Sequence, residues 1–515
     1  MKRTHVLVCL ASLVWLSFIA SPQSKELSNR DHQLVRVYGA DVESTLLYKQ
    51  MLMMDIDIIY SESGVLKALV TKEQKSWLTE NGLQVEQLDL TELFDPSVFG
   101  VAGAGLYHTY NEVELELHQI ELTHGSIAKV FDIGNSIEGR EIWAIKISDN
   151  PSIEENGEAA VLYMGAHHAR EWISVEVPMN LAHYLVNSYG HDPRITNLVD
   201  EREVWIVPMV NPDGVEYSQQ VYQMWRKNKR DNNRNGHFDP SVDGVDNNRN
   251  YGYMWGYDNE GSSPYTWSEM YRGAYAFSEP ENQAIRNLVL HRDFVFAVSY
   301  HSYGQLMLYP WGYIDADTPD HKLYTDIAAE MARFNGYTFG NAKDDVIYNT
   351  NGDADDWLYG ERGTLAYTFE LGTMFVPPES QIEQIWLNNR EPALYLLEIA
   401  DDPCQIYPAI NIYADKSDYS PGDSMEVGLN LTNPQDEVEV GVYVWVDRPN
   451  QSKYWILQEP QITIPAGVEY SNPIWRTFSL PLLPAGNYSW HAVVVDPATE
   501  YILSESLYHW KLSEP

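Results

Sequence analysis

The chain has 515 residues, of which 44% are hydrophobic and 21% charged, and its formal net charge is −40. That length exceeds one domain and implies about three, at roughly 150 residues each. So acidic a surface repels nucleic-acid phosphates and anionic membranes, which sets nucleic-acid binding aside. It is compatible with solubility, with adaptation to salt, and with basic substrates.

Met1-Lys2-Arg3 is a short basic segment, followed by the apolar run Val6 to Ala20 and the break Ser21-Pro22-Gln23-Ser24. This is the pattern of a secretory signal peptide over residues 1–24. The run is shorter than the roughly 20 residues of a membrane span, and no later segment reaches that length. A secreted or periplasmic, monomeric protein is therefore expected, without membrane attachment once the leader is removed. An uncleaved anchor is the alternative, since Phe18 stands where a small residue suits cleavage after Ala20. Cys9 lies in the leader, so the mature chain keeps only Cys404 and no internal disulfide forms.

Residues 25–105 read as a small α+β unit and a linker. Leu34 to Tyr38 alternates as a strand, Val42 to Met53 and Thr71 to Glu80 read as helices, and Val98 to Gly105 is a flexible linker by composition. Over residues 106–402, apolar β-branched runs (Ile142 to Ile147, Ala159 to Met164, Val204 to Val207, Phe294 to Ser299) alternate with amphipathic helices. The helices are Ser174 to Ser188, Glu281 to His291, Leu323 to Asn335 and Glu379 to Ile399. Ser278-Glu279-Pro280-Glu281 predicts a capping box with proline in the first turn. This alternation predicts an α/β fold, a mixed twisted sheet flanked by helices. Over residues 403–515 the helices give way to short strands such as Val440 to Val446, Tyr454 to Leu457 and Trp490 to Val495. These predict an all-β sandwich, an accessory domain that packs on the rest or binds a surface or sugar through its aromatics.

The chemistry concentrates in Gly165-Ala166-His167-His168-Ala169-Arg170-Glu171-Trp172, directly after an apolar run. A histidine and a glutamate three apart in a turn can face one point, and both are zinc ligands. Placement at the carboxyl end of a strand is where open α/β sheets build sites. His167 competes with His168 for the role, and the spacing to Glu171 favours His168. His301, in Ser299-Tyr300-His301-Ser302-Tyr303, ends another apolar run and is the natural third ligand, with a fourth position left open.

These segments, with VDNNRNY and YTFELG, resemble the zinc metallocarboxypeptidases of the pancreatic A/B type, in order over about residues 107 to 400. The resemblance implies one Zn²⁺ held by His168, Glu171 and His301, and peptide or protein substrates with free C-termini. Glu370 would be the general base that takes a proton from water and returns it to the leaving amine. Arg226 would stabilise the oxyanion. Asn248 and Arg249 would clamp the terminal carboxylate, Tyr348 would close over it, and Arg170 would join the substrate site. Asp355 falls where B-type enzymes carry an aspartate, with Asp353 nearby, which favours C-terminal Lys or Arg over apolar residues; dual specificity is the runner-up. The unit at 25–105 occupies the place of an inhibitory prodomain. It has no Lys or Arg between Lys75 and Lys129, so activation by a trypsin-like cut at the linker is excluded.

Two departures stand out. The Asp231–Asp246 loop begins Asp231-Asn232-Asn233-Arg234-Asn235-Gly236, like the start of a calcium loop. Its twelfth position is Val242 rather than glutamate, so Ca²⁺ competes with a plain surface turn. The cysteine pair of the pancreatic enzymes is also missing. A cell-wall peptide carboxypeptidase of the same fold and a non-catalytic binding protein are the rival functions.

Overall fold

The structure is a computed structural model that describes residues 33–38, 50–51, 54, 56–62, 65–93, 106–344, 346–434, 436–480 and 483–514. The expected leader and the 98–105 linker lie outside the described residues, as does most of the expected 42–53 helix.

Strands β1 (Gln33–Tyr38), β2 (Asp57–Glu62) and β3 (Val65–Val70), helix α1 (Lys72–Glu80) and strand β4 (Gln84–Gln87) form a four-stranded antiparallel unit ordered β2-β3-β1-β4. Thr71 caps α1 in a reciprocal capping box with Gln74. Val35, Val37, Leu66, Ala68 and Leu78 bury the face between sheet and helix.

Next come α2 (Tyr110–His124), β5 (Ala128–Asn135), β6 (Glu141–Ile147), β7 (Ala159–Gly165), α3 (Ile173–Ser188), α4 (Pro193–Asp200), β8 (Arg202–Val207) and α5 (Pro212–Gln220). After a long connection follow α6 (Pro280–Leu290), β9 (Phe294–His301), β10 (Leu306–Leu308), α7 (His321–Asn335), β11 (Thr338–Gly340), α8 (Ala354–Arg362), β12 (Leu365–Glu370) and α9 (Ile382–Glu398). The strands make one eight-stranded mixed sheet in the order β11-β10-β12-β9-β7-β8-β6-β5. Its centre, β12-β9-β7-β8, is parallel.

These central strands read as unbroken apolar runs because helices cover both faces. Val161 and Tyr163 of β7 pack with Ile173, Leu181 and Leu185 of α3 and with residues of α7 and α9. The intervening Ala160, Leu162 and Met164 face the opposite side, against Ile285 and Leu288 of α6 and Trp357 of α8. Each strand thereby joins two cores.

The expected capping box at Ser278 does not form. Helix α6 keeps the proline in its first turn, but Glu279 is the cap residue and its side chain makes no capping bond. The groups are engaged elsewhere: Asn250 Oδ1 accepts from Glu279 N at 3.0 Å, and Asn250 Nδ2 donates to Ser278 Oγ at 2.9 Å. A buried asparagine from a distant loop thus outcompetes the local cap.

Strands β13 (Ala409–Ala414), β14 (Asp418–Tyr419), β15 (Ser424–Asn433), β16 (Val438–Asp447), β17 (Lys453–Ile464), β18 (Val468–Ser479), β19 (Gly486–Val495) and β20 (Ile502–Leu512) complete the chain. They form sheets ordered β13-β15-β18 and β14-β20-β19-β16-β17. Ile410, Ile412, Val427 and Leu429 from the first pack with Val442, Val444, Trp490 and Val494 from the second. Cys404, just before β13, is a free thiol. Among the described residues, no helix is long and apolar enough to cross a membrane.

Candidate active site

Three adjacent parallel strands, β12, β9 and β7, end side by side, with Glu370 opposite His301 and Gly165 opposite Tyr300. Whatever follows these strands is gathered at one edge of the sheet. The turn after β7 is tight. A Cβ at Gly165 would stand 2.1 Å from the Ser174 carbonyl oxygen, so only glycine fits there. Ala166 follows with a φ of 53°, and its amide donates to Ser174 Oγ at 3.0 Å. The turn delivers His168 and Glu171 to the strand ends before α3 begins.

His168 Nδ1 lies 2.8 Å from Glu171 Oε1, and His301 Nδ1 lies 2.9 Å from Glu171 Oε2. The two Nδ1 atoms are 3.0 Å apart. The donor atoms of the three residues all lie within 4.8 Å of one another, and all three residues are buried. Two imidazole nitrogens and a carboxylate turned toward one point can hold a metal ion between them. Two nitrogens, one carboxylate and a side open to the cavity form a donor set that fits zinc.

The other nitrogen of His168, Nε2, lies 3.2 Å from Asp246 Oδ1. Asp246 Oδ2 accepts from Arg226 Nε and Nη2 at 3.0 and 2.9 Å, leaving Nη1 as the arginine edge nearest Glu171, at 4.0 Å. Burial alone would raise Asp246, but the charges of Arg226 and His168 hold it well below the usual carboxylate range. Sequence reasoning placed Asp246 only at the end of a possible calcium loop and gave it no part in the zinc site, although it is the second residue of the VDNNRNY segment. His167 is fully buried and turned away from the cluster, toward Tyr251 and Ser299. Of the two adjacent histidines, only His168 faces Glu171.

A cavity of about 530 Å³ opens over the cluster, lined by Arg170, Arg226, Asn248, Arg249, Tyr348, Asp355 and Glu370 among others. Glu370 is only part-buried by its surface. Its low-polarity surroundings and the nearby Glu171 charge push its pKa well above the ordinary range, against the pull of Arg226, Arg249 and Arg170. Arg249 Nη2 donates to Tyr348 Oη at 3.4 Å, while its buried Nε has no partner. Asn248 Oδ1 accepts from Ala354 N at 3.0 Å, which ties the loop to α8.

The three acids at the start of α8 differ in what they do. Asp353 caps the helix, accepting from Asp356 N at 2.9 Å and from Thr350 Oγ1 at 2.5 Å. Asp356 accepts from Gly312 N and Tyr313 N, both at 2.9 Å. Asp355 alone keeps a buried oxygen, Oδ1, without a partner. Burial and the Asp353 charge raise Asp355 well above its usual range.

The N-terminal unit meets the cavity through β2. Arg170 Nη1 and Nη2 donate to the two oxygens of Asp57 at 2.7 and 3.1 Å, and Ile58 and Ile59 line the cavity itself. In the loop read as a possible calcium site, Asp231 accepts from Asn235 N and Gly236 N at 3.2 and 2.8 Å. Asp243 accepts from Asn232 N and Asp239 N at 2.9 and 2.7 Å. The loop closes on its own amides.

A family model described as zinc carboxypeptidase matches residues 113–392. A zinc carboxypeptidase from Saccharothrix mutabilis subsp. capreolus is 32% identical over 342 residues, covering 61% of this chain and 76% of that protein. Carboxypeptidase A1 from Rattus norvegicus is 32% identical over 297 residues, covering 55% of this chain and 68% of the other. Among solved structures, the carboxypeptidase A from Helicoverpa armigera aligns with a TM-score of 0.63 at 23% identity, over 72% of this chain and 98% of that one. That likeness is one of fold.

Proposed function

This chain belongs to the zinc carboxypeptidase family, and from that premise we propose that it is a secreted enzyme that removes C-terminal Lys and Arg from peptides. Its zinc would be held by His168, Glu171 and His301. When bound there, zinc supplies Lewis-acid polarisation and lowers the pKa of water to about 7.

The protein groups supply the rest. Glu370, which lines the cavity beside the cluster, takes a proton from the attacking water and returns it to the departing amine. Arg226, held from behind by Asp246, presents Nη1 where the scissile carbonyl oxygen gains charge. The unpartnered Nε of Arg249 and the Asn248 amide are placed to take the terminal carboxylate. Tyr348 stands beside Arg249 to cover it, and Arg170, which already lines the cavity, gains a free guanidinium for substrate once Asp57 leaves it.

One observation carries the specificity: the buried, unpartnered oxygen of Asp355. Asp353 and Asp356 have both oxygens engaged by backbone and hydroxyl donors, whereas Asp355 is hydrogen-bonded by the Thr368 side chain and keeps Oδ1 for a substrate cation. An arriving ammonium or guanidinium would draw its pKa back down and form a buried charge-assisted pair. The Arg170–Asp57 pair and the two isoleucines at the cavity support residues 25–105 as an inhibitory unit. The lack of Lys and Arg between Lys75 and Lys129 calls for an activating protease that cuts at small or apolar residues. The leader supports secretion, and residues 403–515 are read as a packed accessory domain.

Activated enzyme and its Asp355→Ala variant should be assayed on peptides ending in Lys, Arg, Phe or Leu. The wild type should prefer Lys and Arg, and the variant should lose on the order of 10²-fold on those alone, as loss of a buried charge pair implies. Equal losses on Lys and Phe would refute the specificity assignment and leave the family standing.

A further inference from the structure

Behind the ligand cluster runs a chain of buried polar groups that the proposed reaction does not use. Tyr251 Oη lies 2.7 Å from His167 Nε2, and His167 Nδ1 lies 3.1 Å from Ser299 Oγ. Ser299 Oγ in turn lies 3.0 Å from His301 Nε2. His167 and Tyr251 are 0% exposed and Ser299 is 1% exposed, and none of the three lines the cavity. They come from the turn after β7, from β9 and from the loop after Arg249, so a tertiary arrangement brings them together.

The two ligand histidines are supported differently. Behind His168 stands the carboxylate of Asp246, which can only accept a hydrogen bond. Behind His301 stands the hydroxyl of Ser299, which can donate or accept. For His301 to turn an Nδ1 lone pair toward Glu171 and His168, its proton must sit on Nε2 and Ser299 Oγ must accept it. The hydroxyl is committed to accepting only when its own hydrogen is engaged elsewhere. His167 Nδ1 is placed to accept that hydrogen bond, with the His167 ring proton held on Nε2 and donated to Tyr251 Oη. The other neighbour of His301 Nε2, the Asn248 amide nitrogen at 3.5 Å, is a donor and cannot substitute.

We propose that His167 is a positioning residue for the metal centre: acting through Ser299, it fixes the tautomer and ring orientation of His301. Zinc affinity then depends on a Tyr–His–Ser chain behind one ligand as much as on a carboxylate behind the other. Partners of this kind are worth about 10- to 100-fold in metal affinity. The proposal rests on the reading of His301 as a zinc ligand.

The test is titration of the metal-free full chain with Zn²⁺ against a competing chromophoric chelator, alongside thermal melting of the same metal-free proteins. Ser299→Ala and His167→Leu should each weaken zinc binding by about 10- to 100-fold. His167→Asn, which puts a carbonyl oxygen near the Nδ1 position, should keep most of the affinity. In the Ser299→Ala background His167→Leu should cost nothing further, because the two act in series. Zinc affinities within twofold of wild type for Ser299→Ala, or equal affinities for His167→Leu and His167→Asn, would overturn the proposal. So would altered melting with unaltered zinc binding. Ser299→Ala and His167→Asn decide the matter even if His167→Leu does not fold. His301→Ala separates the two readings: zinc binding that survives it defeats the ligand assignment, whereas loss there with indifference to Ser299→Ala defeats the positioning role alone.

Discussion

Burial leaves individual acids of this protein with different work, and the difference is measurable. Glu281 is fully buried at the start of α6, accepting from Ile137 N and Asn228 Nδ2, both at 3.1 Å. Burial, with Glu279 and Asp213 nearby, pushes its pKa up to about 8. An acid with a raised folded-state pKa holds its proton more tightly when folded. Its contribution to stability is therefore lost as pH climbs from the unfolded value, about 4.5, to about 8. Glu281→Gln should remove that decline, so the difference in melting temperature between variant and wild type should grow in the variant's favour from pH 5 to pH 8; a constant difference would contradict it. Glu370→Gln should cut kcat by about 10²–10⁴-fold while the zinc content stays unchanged, as metal analysis with steady-state assay will show. At this scale the sequence was partly legible. His168, Glu171 and His301 could be found because the three-residue spacing and the apolar runs before them fix their direction. Asp353, Asp355 and Asp356 look alike in sequence, because a helix cap and a loop clamp are visible only once their hydrogen-bond partners are in place. The roles of His167 and Asp246 were hidden for the same reason.

Strands β7, β9 and β12 were legible as elements because helices cover both faces of the sheet, so each reads as an uninterrupted apolar run. Their order in the sheet was not. Nothing in the local pattern places Glu370 opposite His301, a pairing that depends on a parallel crossover through α7 and α8. The Ser278 capping box failed as an expectation because Asn250, far away in the chain, claims its atoms. Gly165 shows the same dependence at the hinge between β7 and the turn to α3. Gly165→Ala drives a methyl into the Ser174 carbonyl and should cost about 1–3 kcal/mol. It should also weaken zinc binding, since the shifted turn carries His168 and Glu171. Chemical denaturation and zinc titration check both effects, and a variant with native stability would contradict this account of the turn.

In the whole molecule, the small N-terminal sheet sits with its β2 strand on the cavity, and the loop between β19 and β20 meets the start of α7 through Lys322–Asp496 at 3.2 Å and Tyr501–Asp320 at 3.4 Å. The N-terminal unit is joined to the cavity wall by the Arg170–Asp57 pair and by the Phe375 amide, which donates to the Leu93 carbonyl at 3.0 Å. Asp57→Ala in the full chain should raise activity several-fold without changing the activity of enzyme that has lost the unit; no gain in the full chain would mean that the ion pair does not hold the unit in place. The most direct test of the central claim uses one peptide in two forms, ending in lysine with a free carboxylate and with an amide. Each is incubated with the activated enzyme, with and without a zinc chelator. The account predicts release of free lysine from the carboxylate form only, abolished by the chelator and restored by added zinc. Cleavage of the amide at a comparable rate, or release indifferent to the chelator, would contradict it.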